Sequence, residues 1–307
     1  MELEKVIIVR DKTRLEQLIE RFNSKAQAKF YLERSGEDFD FYEKEHSTFY
    51  SSLKLVENSI SPLYKHKVLF RSFLPTYMFA EGDLIVVIGQ DGLVANTAKY
   101  VNGLPMVAIN PDEERYDGIL LPHTPSNFLA AIKAFTRNDH TSKQVTMAKA
   151  TLNDGQSLLA FNDFYIGASS HISSRYSLEF GGKRESQSSS GILVSTGAGS
   201  TGWVSSVFNM ANNINNYFYN QKRDFNAGLD WEDEKLLFVV REPFLSKMSQ
   251  IDLGYGVINK HQNLRIESKM PANGVIFSDG IESDFLNFNS GSSLKIGVAK
   301  DKACLIF

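Results

Sequence analysis

The apolar positions change their period along the chain, and the change divides it. Val6-Ile-Ile-Val9 is a short unbroken aliphatic run, the mark of a strand buried on both faces. Leu15, Leu18, Ile19, Phe22, Ala26 and Phe30 then recur at steps of three and four, which predicts one amphipathic helix. A second helical stripe, Tyr42, Phe49, Leu53 and Val56, runs through Phe39–Ile60, and Glu43, Lys44 and Glu45 give it a solvated face. Lys67–Phe70 predicts a strand and Arg71–Phe79 an aromatic-rich connector. Leu84–Ile88 is a longer aliphatic run, followed by Gly89-Gln90-Asp91-Gly92 and by Leu93, Val94 and Ala98 at helical spacing. Met106–Ile109 closes this part with another strand. Strands alternating with helices predict a parallel sheet covered by helices.

The C-terminal part follows a different rule. Ser126 is placed to cap a helix carrying Phe128, Leu129, Ile132 and Phe135. Short strands come next: Gln144–Leu152, Ser157–Ile166, Ser177–Phe180, Gly191–Ser195, Leu236–Arg241, Ile251–Leu253, Asn263–Glu267, Gly274–Phe277, Leu294–Val298 and Ala303–Phe307. Asn153-Asp154-Gly155, Gly181-Gly182 and Asp279-Gly280 punctuate them as turns. So many short strands predict an all-β, sandwich-like domain. The divide is expected near Pro122–Asn127. That gives an α/β domain over 1–125 and a β-rich domain over 126–289, with residues from about 290 to 307 packing back on the first. Asn209–Asn226, rich in asparagine and aromatics, reads as a helix end and a mobile loop. No internal repeat is present.

Composition narrows the classes. A chain of 307 residues suits two domains of ordinary size. With 33 Lys and Arg against 36 Asp and Glu, it has no basic field to recruit nucleic acid. The single cysteine, Cys304, rules out an internal disulfide and fits a reducing compartment. Met1 is followed by charged residues, and no apolar run approaches the roughly 20 residues that span a bilayer. A cytoplasmic protein without membrane contact is expected. No pair of histidines has metal spacing, so no zinc site is expected.

Three segments can carry chemistry. The first is the strand, glycine turn and helix start around Gly89–Gly92. Free N–H groups and the helix dipole make such a start an anion site, and glycine permits a tight turn. Asp91 would be repelled by a bound phosphate unless it binds Mg²⁺ or takes a proton from an attacking hydroxyl. It could equally cap an ordinary α/β turn. The second is Ser195-Thr-Gly-Ala-Gly-Ser-Thr-Gly-Trp203, ahead of a stripe of Trp203, Val207, Met210, Ile214 and Tyr217. Its hydroxyls suit a pyrophosphate or ribose and Trp203 a base, while the alternative is a flexible hairpin with Trp203 in the core. The third is Asn162-Asp163, an amide and acid interrupting a strand. The pair can grip a nucleoside diol, or it can form a bulge.

In order and spacing these segments resemble the NAD kinase family. Gly89-Gln90-Asp91-Gly92 is similar to that family's Gly-Gly-Asp-Gly turn, and Asn162-Asp163 to its Asn-Glu pair. Ser195, Thr196, Gly199, Ser200 and Thr201 match its Ser-Thr-Pro-Thr-Gly-Ser-Thr-Ala-Tyr segment without gaps. The resemblance runs to Phe277-Ser-Asp-Gly280. Ser189-Ser190-Gly191 and Asn110–Arg115 look like the branch that includes animal mitochondrial NAD kinases. Gln90 departs from a glycine, Ala198 from a hydroxyl residue, Trp203 from a tyrosine and Ser190 from an aspartate.

The resemblance implies an NAD kinase-like fold and an ATP-dependent kinase that phosphorylates the adenosine-ribose 2′-hydroxyl of NAD to give NADP. It implies ATP and Mg²⁺ as donor and cofactor, with no dedicated protein metal cage. By it, Asp91 handles the proton, and Gly89, Gln90 and Gly92 adjoin donor phosphates. Asn162 and Asp163 would hold the ribose, with Thr196, Ser200, Thr201, Trp203 and Ser206 around the nucleotide. It implies a crevice site between the domains and a homodimer or tetramer. Diacylglycerol and sphingosine kinases share the superfamily fold, so a kinase of another hydroxyl, a lipid or a sugar, is one alternative. A nucleotide-binding sensor without turnover is the other.

Overall fold

Aliphatic runs buried on both faces build the centre of the first sheet, as their composition requires. The computed structural model describes residues 3–219 and 225–307. Its contacts divide the chain into one unit of residues 1–143 with 304–307 and another of 144–303. The sequence reading sets the divide at Pro122–Asn127, ahead of the next helix. The structure places that helix with the first unit, and only 304–307 of the C-terminal segment return to it.

In the first unit β1 (Lys5–Arg10) leads to α1 (Arg14–Phe22), α2 (Lys25–Arg34) and α3 (Phe39–Ile60). Then come β2 (His66–Phe70), a 3₁₀ segment over Arg71–Thr76, β3 (Asp83–Ile88), α4 (Asp91–Ala98), β4 (Pro105–Ile109), α5 (Phe128–Thr136) and β5 (Ser142–Val145). The sheet runs β2-β1-β3-β4 and is completed by β18 (Ala303–Ile306) and β5. The pairs among β2, β1, β3, β4 and β18 are all parallel. Each residue of β3 is buried. Burial of each of its aliphatic side chains contributes on the order of 1.5–3 kcal/mol. Val6, Ile8, Leu84, Val86 and Ile88 pack with Phe49, Leu53, Val56 and Ile60 of α3 and Phe128 and Ile132 of α5. The chain leaves β1 toward β2 and returns to β3 on the other side. The carboxyl ends of β1 and β3 therefore meet at a topological switch point, where ligands of such sheets bind.

The second unit is a sandwich of two six-stranded sheets. One runs β10 (Lys183–Ser189), β9 (Ser174–Phe180), β14 (Leu264–Ser268), β17 (Ser293–Val298), β6 (Ala148–Leu152) and β7 (Ser157–Ala160). The other runs β13 (Tyr255–Asn259), β12 (Lys235–Val240), β11 (Ile192–Ser195), β8 (Asp163–Ala168), β15 (Gly274–Ser278) and β16 (Ile281–Asn287). Tyr176, Leu178, Ile266 and Ile296 of the first interleave with Phe164, Ile166, Val194 and Phe238 of the second. The outer face of the second sheet is covered by α6 (Trp203–Tyr219), through Val204, Trp203, Val207 and Phe208 against Leu193, Leu237 and Val275.

Several expectations need correction. The stripe from Leu15 to Phe30 is two helices, because Asn23 adopts a left-handed φ of 61° and Ser24 caps a new helix through Gln27 N. Ser126 is not the cap of α5; Asn127 holds that position, and its Oδ1 accepts from Thr124 N. Gln144–Leu152 is two strands in different sheets, and Ile251–Leu253 is not a strand. The strands β10, β13 and β16 went unpredicted. Within Asn209–Asn226, α6 is described to Tyr219, and residues 220–224 lie outside the described residues. The α6 stripe is buried only at its start, since Met210, Ile214 and Tyr217 are exposed. No helix among the described residues is long and apolar enough to cross a membrane.

Candidate functional site

The Gly89–Gly92 turn follows β3 directly and opens α4 at the switch point. A cleft of about 310 Å³ lies there, lined by residues that follow four parallel strands. Asp11, Lys12, Thr13 and Arg14 come after β1, Arg71 after β2, Gly89, Gln90 and Gly92 after β3, and Pro111 and Asp112 after β4. Glu45 and Phe49 reach it from α3. Its cations Lys12, Arg14 and Arg71 are matched by Asp11, Glu45 and Asp112. Arg71 Nη1 lies 3.0 Å from Asp11 Oδ2, and Arg14 Nε donates to Glu45 Oε2 at 2.6 Å. Side chains alone therefore give no net positive field, and the N-terminus of α4 adds the bias toward an anion.

The base of the cleft is held by a buried cation. Arg10, at the end of β1, is nearly inaccessible and lies over the rings of Phe49, Tyr50 and Phe70 at 4.9, 5.0 and 4.7 Å. It pairs with Glu16, whose Oε2 also accepts from Thr13 N at 2.7 Å. Those contacts fix the 11–14 loop against α1 and α3.

The turn itself differs from the sequence expectation. None of its four residues has a positive φ. A Cβ at Gly89 would lie 2.9 Å from Leu93 Cδ2, so any larger residue there would make the Leu93 side chain shift. Gln90 sits at φ −99°, an ordinary extended angle. Glycine at this position is expected to lower stability by roughly 0.5–1 kcal/mol through unfolded-chain entropy. Thermal unfolding checks this, and a higher melting temperature for Gln90→Gly would contradict it. Asp91 does not line the cleft; its Oδ1 accepts from Leu120 N at 2.7 Å and so ties the loop after β4 to the turn.

In the second unit, Asn162 and Asp163 stand where β7 passes into β8. Asp279, in the β15–β16 turn at φ 54°, binds this passage with one carboxylate. Its Oδ2 accepts from Phe161 N at 3.1 Å, and its Oδ1 from Asn162 N at 2.6 Å and Asp163 N at 3.2 Å. On the other side Asn162 O accepts from Thr196 N at 2.9 Å. Thr196 is wholly buried, and its hydroxyl donates to Phe161 O at 2.6 Å and accepts from Gly199 N at 3.2 Å. That hydroxyl is spent inside the fold, so Thr196 shapes the turn rather than facing a ligand. Gly199 allows the contact, because a Cβ there would meet Asn162 O at 2.2 Å. Ser200 is half-buried, while Thr201 and Ser206 are exposed. Trp203 is stacked on Tyr165 with its ring planes 8° apart. Asp279 is the residue the sequence reading left out of the site; its turn was legible and its three distant partners were not.

Asp163 is buried beside that carboxylate. Burial first, and Asp279 second, push its carboxyl up to about 7. An unfolded aspartate titrates near 3.9, so between about pH 4 and 7 the folded protein keeps a proton the unfolded chain has lost. Stability contributed by this group therefore falls as pH rises through that window. Asp163→Asn, neutral throughout, is expected to flatten this part of the curve and to exceed wild type in stability at pH 8. Urea unfolding at pH 5 and pH 8 measures it; parallel wild-type and variant curves would count against it.

No family model and no curated protein matches the chain. Solved structures do. Yeast NADH kinase complexed with NADH aligns with a TM-score of 0.62 at 13% identity, over 100% of this chain and 84% of that one. An NAD kinase from Archaeoglobus fulgidus in complex with ATP aligns with a TM-score of 0.58 at 14% identity, over 98% and 92%. The fold of those kinases is the fold of this chain.

Proposed function

We propose that the protein is an NAD kinase, transferring a phosphoryl group from ATP to the 2′-hydroxyl of the adenosine ribose of NAD. The observation that carries this reading is the fold, which over nearly the whole chain is that of two NAD(H) kinases, one bound to NADH and one to ATP. The acidic glycine turn at the carboxyl end of β3 is the local feature that agrees with it. Phosphoryl transfer needs positioning and charge stabilisation more than covalent chemistry, and an α/β switch point supplies both.

On this reading the donor phosphates meet the start of α4, with Lys12, Arg14 and Arg71 around the cleft. Asp91, held at one oxygen by Leu120 N, takes the proton of the acceptor hydroxyl or orients it. Among the described residues no group of three or more His, Cys, Asp or Glu could hold a metal by itself. Mg²⁺ does not need such a cage when phosphates complete its shell, and Asp11 or Asp112 could supply the protein oxygen. Bound there with the donor, Mg²⁺ would offset charge on the phosphates. Gln90, in the lining of the cleft, adjoins the donor phosphates; assembly as a homo-oligomer belongs to the same reading.

Asn162 carries the acceptor half. Its backbone is fixed from both sides, by Asp279 and Thr196, which leaves a rigid base for its amide. Asn162→Ala is expected to weaken NAD binding by roughly 1–3 kcal/mol, the cost of leaving a ribose hydroxyl desolvated and unpaired. ATP binding should be nearly unchanged. Separate calorimetric titrations of NAD and ATP test this, and an unaltered NAD affinity would reduce the pair to a structural bend.

A further inference from the structure

The outer face of the sheet β10-β9-β14-β17-β6-β7 carries a charge that the chain as a whole conceals. Tyr176 and Leu178 of β9, Ile266 of β14, Ile296 of β17 and Ala150 of β6 point into the core, so the alternate positions point outward. Those positions, with Lys269 just past β14, present Lys149, Arg175, Arg184, Arg265, Lys269 and Lys295, all exposed. Glu179 and Glu267 oppose them on the same face. Six cations against two acids leave a local surplus, whereas the whole chain has a net charge of −3.

The face does not neutralise itself. Arg184 pairs with Glu267 and donates through Nε to Ser177 Oγ at 2.9 Å. Lys269 Nζ donates to Ser186 Oγ at 2.7 Å. Lys149, Arg175, Arg265 and Lys295 make no ion pair among the described residues. Arg265 and Lys295 stand directly opposite each other on β14 and β17, a like-charge pair that costs stability until an anion bridges it. In register, Arg184, Glu179, Arg265, Lys295 and Thr151 form one row across five neighbouring strands. At the usual strand spacing the row is roughly 19 Å long. A cavity of about 310 Å³ lies along it, where Thr151, Ser293 and Asn153 add hydroxyls and an amide.

The apolar side chains restrict the partner. Among the described residues, none of the large exposed ones lies on these strands. The face therefore lacks an aromatic platform for unstacked bases, an apolar anchor for a protein partner and a wedge for a lipid interface. Arginine, lysine and hydroxyl groups spread over a broad face are what contacts nucleic-acid phosphates. The row exceeds the width of a B-form major groove, roughly 12 Å, and so reaches both backbones that border one. We propose that this face binds double-helical DNA through its phosphates, without reading its sequence. Lys149, Arg175, Arg265 and Lys295 supply the phosphate contacts, and Glu179 weakens them. The inference does not depend on the kinase reading.

The test is fluorescence anisotropy of a labelled DNA duplex of about 20 base pairs, titrated with the intact protein over about 50–200 mM salt. Four phosphate contacts predict that log affinity falls against log salt with a slope of roughly −3.6. Arg265→Gln and Lys295→Gln should each weaken binding and reduce the slope by roughly 0.9. Glu179→Gln should strengthen binding. These side chains lie outside the cleft at the end of β3, so turnover should be unchanged. Absence of duplex binding at the lowest salt would overturn the inference. So would tighter binding of the single strand, or of vesicles of anionic lipid, than of the duplex. An unchanged slope in the doubly substituted Arg265→Gln, Lys295→Gln protein, shown folded by circular dichroism, would place any binding elsewhere and overturn it too. Should that protein fail to fold, an affinity unmoved by Glu179→Gln would overturn it equally.

Discussion

Asp91→Asn is expected to lower phosphoryl transfer by roughly 10²–10⁴, the usual contribution of a positioned general base. The substitution is close to isosteric. Its amide oxygen can still accept from Leu120 N, the contact that Asp91 Oδ1 makes at 2.7 Å, so the loop after β4 should stay in place. The loss of negative charge in the first turn of α4 costs only a few tenths of a kcal/mol or so against the helix dipole. The rate should therefore fall far more than stability or NAD affinity. Steady-state kinetics beside thermal unfolding separate the two. A variant that keeps more than a tenth of wild-type turnover would make Asp91 a loop anchor and nothing more.

The largest stability effect is expected at Asp279. Its carboxylate receives the N–H groups of Phe161, Asn162 and Asp163, which join β7 to β8. Hydrogen bonds to a charged acceptor contribute roughly 1.5–3 kcal/mol each, and stranded donors cost their desolvation. Alanine also fits poorly at φ 54°, where asparagine and aspartate are tolerated. Asp279→Ala should lose on the order of 3–5 kcal/mol, allowing for non-additivity within one cluster. Asp279→Asn, which keeps one acceptor and the turn, should lose clearly less. Urea denaturation ranks the three proteins, and an alanine variant as stable as the asparagine one would refute the carboxylate's structural role. The same substitutions remove the charge that helps raise the Asp163 carboxyl, so the pH 4–7 slope should shrink in both.

What the chain discloses before folding follows from where each signal lives. β1, β3 and β4 are legible because burial on both faces demands unbroken aliphatics. β10 is not, because its inward positions are Glu185, Gln187 and Ser189. Leu253 gives two of them partners from outside the strand: its N donates to Glu185 Oε2 at 3.1 Å, and its O accepts from Gln187 Nε2 at 3.3 Å. The break between α1 and α2 hides behind a stripe that continues across it, and only Asn23-Ser24 marks it. The glycine turn and Asn162-Asp163 were readable as local patterns. The cations of the cleft were not, since Lys12, Arg14 and Arg71 come together only once β1, β2 and β3 are placed side by side. Thr196 shows the opposite failure, a hydroxyl in a nucleotide-like motif that packing assigns to the fold. Asp279 acts on residues 116, 117 and 118 positions earlier, beyond any periodicity.

The measurement that bears most directly on the central claim is NADP formation by the purified protein given NAD, ATP and Mg²⁺. The product is read with an NADP-specific dehydrogenase and its phosphate located by NMR. The account predicts ATP-dependent accumulation of NADP phosphorylated at the adenosine 2′ position, nearly abolished in Asp91→Asn. Binding of both nucleotides without any NADP, or a phosphate found on another hydroxyl, would contradict it.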